Sequence, residues 1–286
     1  MVNQDFKFNA CRIVWVLFII LTVPSHSADF SLIYSSTAIP QAHAHNDYNH
    51  PRPLLDALHH GFRSIEADIV LFGDGLYVAH TFLGIRTGRT LENLYLKPLH
   101  KWIVHGNGRV FSDNTKLLLL IDIKSSAGAS YIKLKELLIE YKDIIHVFGE
   151  KNQVWKPVLI ILSGNRPKKL LETEKIRYAA YDGRSADLHS SVPKSLMPII
   201  SEKWSRMFSW RGIGPMPEDE RRKLHETVSI AHKAGRLVRF WAAPEGHPEQ
   251  QEAVWNELIE AGVDLINTDD LKGFREFSLQ WMVQSF

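Results

Sequence analysis

A TIM-type (β/α)8 barrel is the fold class that the sequence predicts, and three observations predict it. From residue 39 onward, eight short apolar runs alternate with longer segments of helical period. Runs such as "KLLLLIDIK" and "PVLIILSG" are apolar at almost every position, as parallel strands buried on both faces must be. Each of these runs turns polar only at its C-terminal end, where such barrels carry their chemistry.

The first run, 39–44, leads into His45-Asn46-Asp47. A short helix follows, and His59 and His60 form its C-terminal end, closed by Gly61. The second run, 64–71, carries Glu66 and Asp68, and the extension "GLYVAH" after it ends at His80. The third run, 117–123, ends at Asp122-Ile123-Lys124. A helical face of Leu134, Leu137, Leu138, Tyr141, Ile145 and Phe148 separates it from the fourth run at 158–162. The fifth and sixth runs lie at 176–181 and 197–200. Leu224, Val228 and Ala231 form the helical face before the seventh run, 237–242, and Val254, Leu258 and Ala261 the one before the eighth, 264–267. The longest irregular connections lie near 72–92 and 183–215, the latter interrupted by the sixth run, and both are candidate active-site loops.

The chain has 286 residues, 45% hydrophobic and 23% charged, enough for one large barrel or two modest domains. No Pro/Gly/Ser-rich linker or repeat divides it, so a single domain over residues 28–286 is expected. Thirty-four basic against 32 acidic side chains give a net charge of +2, which supplies no broad positive field and argues against a nucleic-acid partner. Lys7 and Arg12 precede an apolar run from Ile13 to Val23, followed by Pro24 and Ser25-His26-Ser27. Residues 1–27 therefore read as a signal peptide, too short in its apolar part to span a bilayer, and an exported, soluble, monomeric protein is expected. Cleavage would remove Cys11, the sole cysteine, leaving a core that must hold without disulfides.

Residues two apart on a strand point to the same side, so Glu66 and Asp68 can both face the barrel axis, as can Asp122 and Lys124. Three inward carboxylates cannot all stay ionised there without a compensating charge. A bound divalent cation supplies one, and oxygen-only ligands favour a hard ion, Mg²⁺ ahead of Ca²⁺. The alternative is a structural ion network with Lys124, Arg63 and Arg166. His45 and His80 flank the same mouth and are suited to serve as general base and general acid.

At these residues the sequence resembles the phosphatidylinositol-phospholipase-C-like phosphodiesterases, TIM barrels that include the glycerophosphodiester phosphodiesterases and the sphingomyelinase D toxins. "HNDY", "PLLDAL", "SIEADI", "VAH", "RTLENLYLKPL", "SGNRP", "GPMP" and "AGVDLINTDD", in order over residues 41–275, resemble most closely the altered inheritance of mitochondria protein 6 family. The resemblance implies a metal-dependent phosphoric diester hydrolase acting on a glycerophosphodiester or phospholipid-type substrate, with possible peripheral membrane contact. It implies His45 and His80 as the acid–base pair, Glu66, Asp68 and Asp122 as metal ligands, and Lys124 facing the substrate phosphate. Trp241 resembles a pocket aromatic of the sphingomyelinase D branch, with barrel packing as its alternative role. Glycerophosphodiester phosphodiesterases follow the first histidine with Arg-Gly, where this chain has Asn46-Asp47. Asn165, Arg166 and Arg184 are candidates to supply the missing phosphate contacts.

Two other functions share these residues. His43 and His45 form the His-x-His pair of a zinc amidohydrolase barrel, with Asp269 as the last ligand, but no histidine ends the middle strands. A non-catalytic exported barrel binding a phospholipid head group or sugar is the other, with Trp204, Phe208 and Trp210 either touching that ligand or packing as a loop core.

Overall fold

The computed structural model describes residues 37–149 and 156–284, and the signal-peptide segment lies outside these residues. Eight parallel strands close into a ring: β1 (Ile39–Ala44), β2 (Phe62–Phe72), β4 (Leu117–Ile123), β5 (Val158–Gly164), β6 (Ala180–Gly183), β7 (Ile199–Lys203), β8 (Leu237–Trp241) and β9 (Leu265–Thr268), with β1 pairing both β2 and β9. The ninth strand, β3 (Gly75–Val78), folds back antiparallel on β2 as a hairpin. The helices are α1 (Leu55–His59), α2 (Lys97–His105), α3 (Ala127–Glu140), α4 (Lys168–Thr173), α5 (Trp204–Met207), α6 (Glu218–Lys233), α7 (Pro248–Glu260) and α8 (Leu271–Gln284). This is the expected TIM-type barrel, and no helix among the described residues is long and apolar enough to cross a membrane.

The alternation of strand side chains divides the buried residues into two sets. Outward residues such as Leu117, Leu119, Ile121 and Ile123 pack with Leu134, Leu138 and the other helix faces. Inward residues begin as an apolar plug of Leu118, Leu120, Ile161, Ala180, Ile199 and Leu265. Register sets Glu66 opposite Leu120 at the top of this plug and Asp68 opposite Asp122 one step above it. His43, Ser64, Glu66, Asp182, Ser201, Arg239 and Asn267 are all buried inside the ring. The barrel interior thus turns from apolar to polar toward the C-terminal ends of the strands, where the site opens.

Two expectations shift. The helical face drawn through Ile145 and Phe148 overruns α3, which stops at Glu140; Ile145 and Phe148 instead make isolated bridges with Val158 and Arg177. Their spacing reports burial in extended chain, which periodicity alone does not separate from helix. The fifth barrel strand begins at Ala180 rather than 176, since Ile176 is exposed and Arg177 is taken up by Phe148. Gly61, at φ +81°, closes α1 after His60 as expected.

Trp204, Phe208 and Trp210 are buried; Trp204 and Phe208 pack at a tilt (4.5 Å between ring centroids), and both meet Phe240 edge-to-face. This packing overturns their alternative role in contacting lipid or glycan.

Candidate active site

A cleft of about 480 Å³ opens at the C-terminal mouth, lined by His45, Glu66, His80, Asp122, Lys124, Asn165, Arg184, Arg239 and Trp241 among others. Residues from most of the barrel strands and the β3 hairpin therefore converge on one concavity, which is how this fold assembles sites.

His45 follows β1, and its Nδ1 lies 3.0 Å from Asp269 Oδ1, just beyond β9. A carboxylate only accepts, so this contact puts the proton on Nδ1 and leaves Nε2 for proton transfer. Burial works to lower the His45 pKa, but the Asp269 hydrogen bond and the charge of Glu66 outweigh it and raise it above the ordinary histidine value. The Asn46 amide sits 3.1 Å and 3.3 Å from the two ring nitrogens, with its backbone in the left-handed region at φ +46°.

His80 reaches the site through the hairpin. β3 returns the chain alongside β2 so that Ala79 N–H donates to Asp68 O at 3.1 Å, and His80 Nδ1 then donates to Asp68 Oδ2 at 2.6 Å. The same oxygen accepts from the Tyr48 hydroxyl at 2.8 Å. Each histidine is thus backed by its own carboxylate.

Glu66, Asp68 and Asp122 each offer an oxygen within 4.8 Å of the others, and they form the single group able to hold a metal ion among the described residues. Oδ1 of Asp68 and Oδ1 of Asp122 are buried without any hydrogen-bond partner. Burial, together with the charges of Glu66 and Asp68, pushes the Asp122 carboxyl up to about 6 against the pull of Lys124. Orphaned, mutually repelling carboxylate oxygens are what a hard divalent cation would satisfy, so the residues fit such an ion. Gly164 makes room for this arrangement. A Cβ built on it would lie 2.0 Å from Asp122 Oδ1, and its φ is +64°.

Resident cations already touch the cluster. Lys124 Nζ lies 3.0 Å from Asp122 Oδ2 and 3.4 Å from Asp68 Oδ2. Burial disfavours its charge, but Asp122 and Asp68 more than compensate and raise its pKa. Arg239 donates through Nη2 to Glu66 Oε2 and through Nε to Asn267 Oδ1 at 2.9 Å. Burial would raise the Glu66 pKa, yet the Arg239 charge and the His43 hydrogen bond hold it well below the usual carboxylate range.

His43 lies one layer below, fully buried, with Nδ1 2.7 Å from Ser64 Oγ and Nε2 3.2 Å from Glu66 Oε2. Burial and the neighbouring Arg239 lower its pKa to about 4. The His43/His45 pair is therefore not assembled as a zinc cage: no histidine belongs to the candidate metal group among the described residues.

The remaining expected residues divide. Asn165 and Trp241 line the cleft; Asn165 Nδ2 donates to Ser125 O at 2.9 Å, and Lys203 Nζ sits 5.6 Å from the Trp241 ring. Arg166 does not line the cleft. Its guanidinium donates to Asp182 O at 2.7 Å and Oδ1 at 2.9 Å, because a buried carboxylate below the mouth demands a partner. Arg184, bound to the other oxygen of Asp182, stands at the cleft instead.

Sequence reasoning missed Arg239 and assigned Asp269 to a zinc site. Asp269 sits just past the end of β9 in "NTDD", and Arg239 lies within β8 in "VRFWAAPE", where inward parity from Trp241 would have found it.

The profile of the AIM6-like phosphodiesterase domain matches residues 33–182, and that of the glycerophosphoryl diester phosphodiesterase family matches residues 238–272. Altered inheritance of mitochondria protein 6 of Lachancea thermotolerans is 29% identical, over 87% of this chain and 68% of its own length. Its homolog in Arthroderma benhamiae is 27% identical over 82% of each chain, and the Eremothecium gossypii protein 26% identical over 89% of this chain and 73% of its own. The fold matches the crystal structure of a glycerophosphoryl diester phosphodiesterase from Parabacteroides distasonis, with a TM-score of 0.51 and 15% identity over 88% of this chain and 90% of that one. The family profile over residues 33–182 spans more than half of the chain and includes the positions of His45, His80 and the acidic triad: this chain belongs to the AIM6-like phosphodiesterase domain family.

Proposed function

We propose that this protein is a metal-dependent phosphoric diester hydrolase, acting on a glycerophosphodiester or phospholipid-type ester, with His45 and His80 as its acid–base pair. One observation carries this reading. Two histidines, each fixed by a separate carboxylate, flank an acidic triad with two orphaned buried oxygens at the mouth of the barrel.

In this reading Glu66, Asp68 and Asp122 hold the ion, Mg²⁺ in preference to Ca²⁺. When bound it would neutralise phosphate charge and acidify an attacking hydroxyl. The chain's own residues do the rest. One histidine accepts the proton of the attacking hydroxyl at Nε2, and the other gives a proton to the departing alkoxide oxygen. Asp269 and Asp68 keep both rings in the tautomer that frees Nε2. Lys124, held between Asp68 and Asp122, offers its ammonium to a phosphate oxygen, and Arg184 and Asn165 border the same space. Trp241 gives the cleft one apolar wall.

Phosphorus NMR tests this directly, with a glycerophosphodiester, a lysophospholipid and an inositol phosphodiester incubated with and without chelator. Turnover of at least one diester, abolished by chelator and cut about 10²- to 10⁴-fold by His45→Ala or His80→Ala, is the expected result. Undiminished turnover in both variants, or none of any diester with Mg²⁺, Ca²⁺ or Mn²⁺ supplied, overturns it.

A further inference from the structure

Charge is distributed unevenly around the mouth of the barrel. β6 stands four places from β1 in either direction round the ring, so Arg184, one residue past β6, lies across the mouth from His45. Acids gather on the His45 side, where Asp269 holds the histidine and the charges of both bear on exposed Glu245. On the β6 side the carboxylates are already met. Asp187 lies 3.1 Å from Lys168 Nζ, and Glu202 accepts from the Ser185 hydroxyl and from Arg206 at 3.4 Å. Fully buried Asp182 is shared by two guanidiniums: Arg166 donates to Oδ1, and Arg184 to Oδ2, which also accepts from the Ser163 hydroxyl at 3.0 Å. One carboxylate balances only one guanidinium, so a unit of positive charge is left over, and Arg184 is the member of the pair that lines the cleft.

The way Arg184 is held leaves one edge of it open. Nη1 carries both of its side-chain bonds, to Asp182 and to Gly183 O at 3.0 Å. Nε and Nη2 have no hydrogen-bond partner among the described residues, and neither is shut away from solvent. These two nitrogens form an edge of the guanidinium fork, the geometry that grips a pair of anionic oxygens. Lys203 reinforces the charge. It lies in register with Trp241, its ammonium stands 5.6 Å from that ring, and it makes no ion pair among the described residues. A cation over the indole takes the place that a trimethylammonium head group would seek. The reacting phosphate cannot use the open edge of Arg184. The acids of the candidate metal group stand on β2 and β4, three and two strands away, which is roughly 10 Å of backbone separation at about 4.8 Å per strand. The bonds of Nη1 tie Arg184 to its own strand.

We propose that the open edge of Arg184, held by Asp182 and supported by Lys203, is a second anion subsite of the cleft, so that the diester taken there carries a further anionic group, a phosphomonoester or a carboxylate, on one of its alcohols. The inference rests on the proposed hydrolase reading for the diester; the subsite itself requires binding and no turnover.

Calorimetry on the full chain with Mg²⁺ supplied tests it, in a His80→Ala background so that no ligand is consumed. The ligands are glycerophosphoglycerol as the neutral reference, glycerophosphoglycerol phosphate, glycerophosphoglycerate and glycerophosphocholine, each corrected for its heat with Mg²⁺ alone. At least one of the two anionic ligands should bind about 10- to 100-fold more tightly than the reference, and the choline ester no more tightly than it. Tighter binding of the phosphate alone assigns a phosphomonoester, of the glycerate alone a carboxylate, and of both any pair of anionic oxygens; each outcome supports the subsite. Arg184→Met leaves Asp182 paired with Arg166 and should erase the preference, while Lys203→Met should reduce it about 2- to 5-fold. Cooperative thermal unfolding serves as the fold control. Equal affinity for all four ligands overturns the proposal, as does tightest binding of the choline ester. A preference undiminished in a folded Arg184→Met also overturns it, or undiminished in Lys203→Met where Arg184→Met does not fold. The two readings fail separately. Tight binding of an anionic diester by a wild-type chain that cleaves none keeps the subsite and removes the hydrolase, whereas turnover of diesters without any such preference in binding does the reverse.

Discussion

Asp47, the third residue of "HNDY", is fully buried, and Asp47→Asn should change how stability depends on pH. Its Oδ2 accepts from Leu54 N–H at 2.6 Å and from the Tyr95 hydroxyl at 2.9 Å, which holds Leu54 at a strained φ of +67°. Burial pushes the carboxyl up to about 6 against these two hydrogen bonds. An unfolded aspartate titrates near ~3.9, so the native state binds this proton more tightly. Stability from this group is therefore complete below about pH 4, declines as pH rises through about 6, and stays low above. Two pKa units at about 1.36 kcal/mol each amount to about 3 kcal/mol. Asparagine keeps an acceptor where Oδ2 stands and removes the ionisation. The difference between variant and wild type should then be near zero at about pH 4 and favour the variant by about 3 kcal/mol at about pH 8. Urea titrations across that range measure it, and all other titrating groups cancel in the difference. Two stability curves that run parallel from acid to neutral pH would refute a buried, ionised Asp47.

Three further outcomes follow from the site. Gly164→Ala places a methyl group 2.0 Å from Asp122 Oδ1 at φ +64° and should weaken divalent-ion binding, read by calorimetry on the purified protein; unchanged affinity would show that Asp122 is no ligand. Asp269→Asn removes the hydrogen bond that raises the His45 pKa, so the limb of the pH–rate profile governed by His45 should move to lower pH while kcat falls; a profile of unchanged shape would detach Asp269 from His45. Arg239→Met strands Glu66 as a buried carboxylate and should cost about 3–5 kcal/mol in denaturant titrations, with a loss below ~1 kcal/mol contradicting the pairing.

The fold was legible because strands buried on both faces leave near-continuous apolar runs, and β1, β2, β4, β5, β8 and β9 begin or end within a few residues of those runs. β6 was displaced because Ile176 mimics a strand start while lying exposed. The triad and the two histidines were legible because alternation fixes which strand residues share a face, and register then brings Asp68 level with Asp122. Partnerships across the ring were not. Arg239 reaches Glu66 over a separation of 173 residues, and no local pattern signals which buried acid an arginine will meet. Arg166 and Arg184 flank one buried Asp182, and only packing decides which of them faces the cleft.

The closure of β1 on β9 gives catalysis a topological condition. His80 and Asp68 are 12 residues apart on one hairpin and can come together as soon as that hairpin forms. His45 and Asp269 are separated by 224 residues and meet only across the seam where the first and last strands join. A chain lacking β9 would retain the three acids of the candidate metal group but leave His45 unheld. In a folding experiment, ion binding would report the first strands and turnover the completed ring, so the interval between the two signals would time the sealing of the barrel.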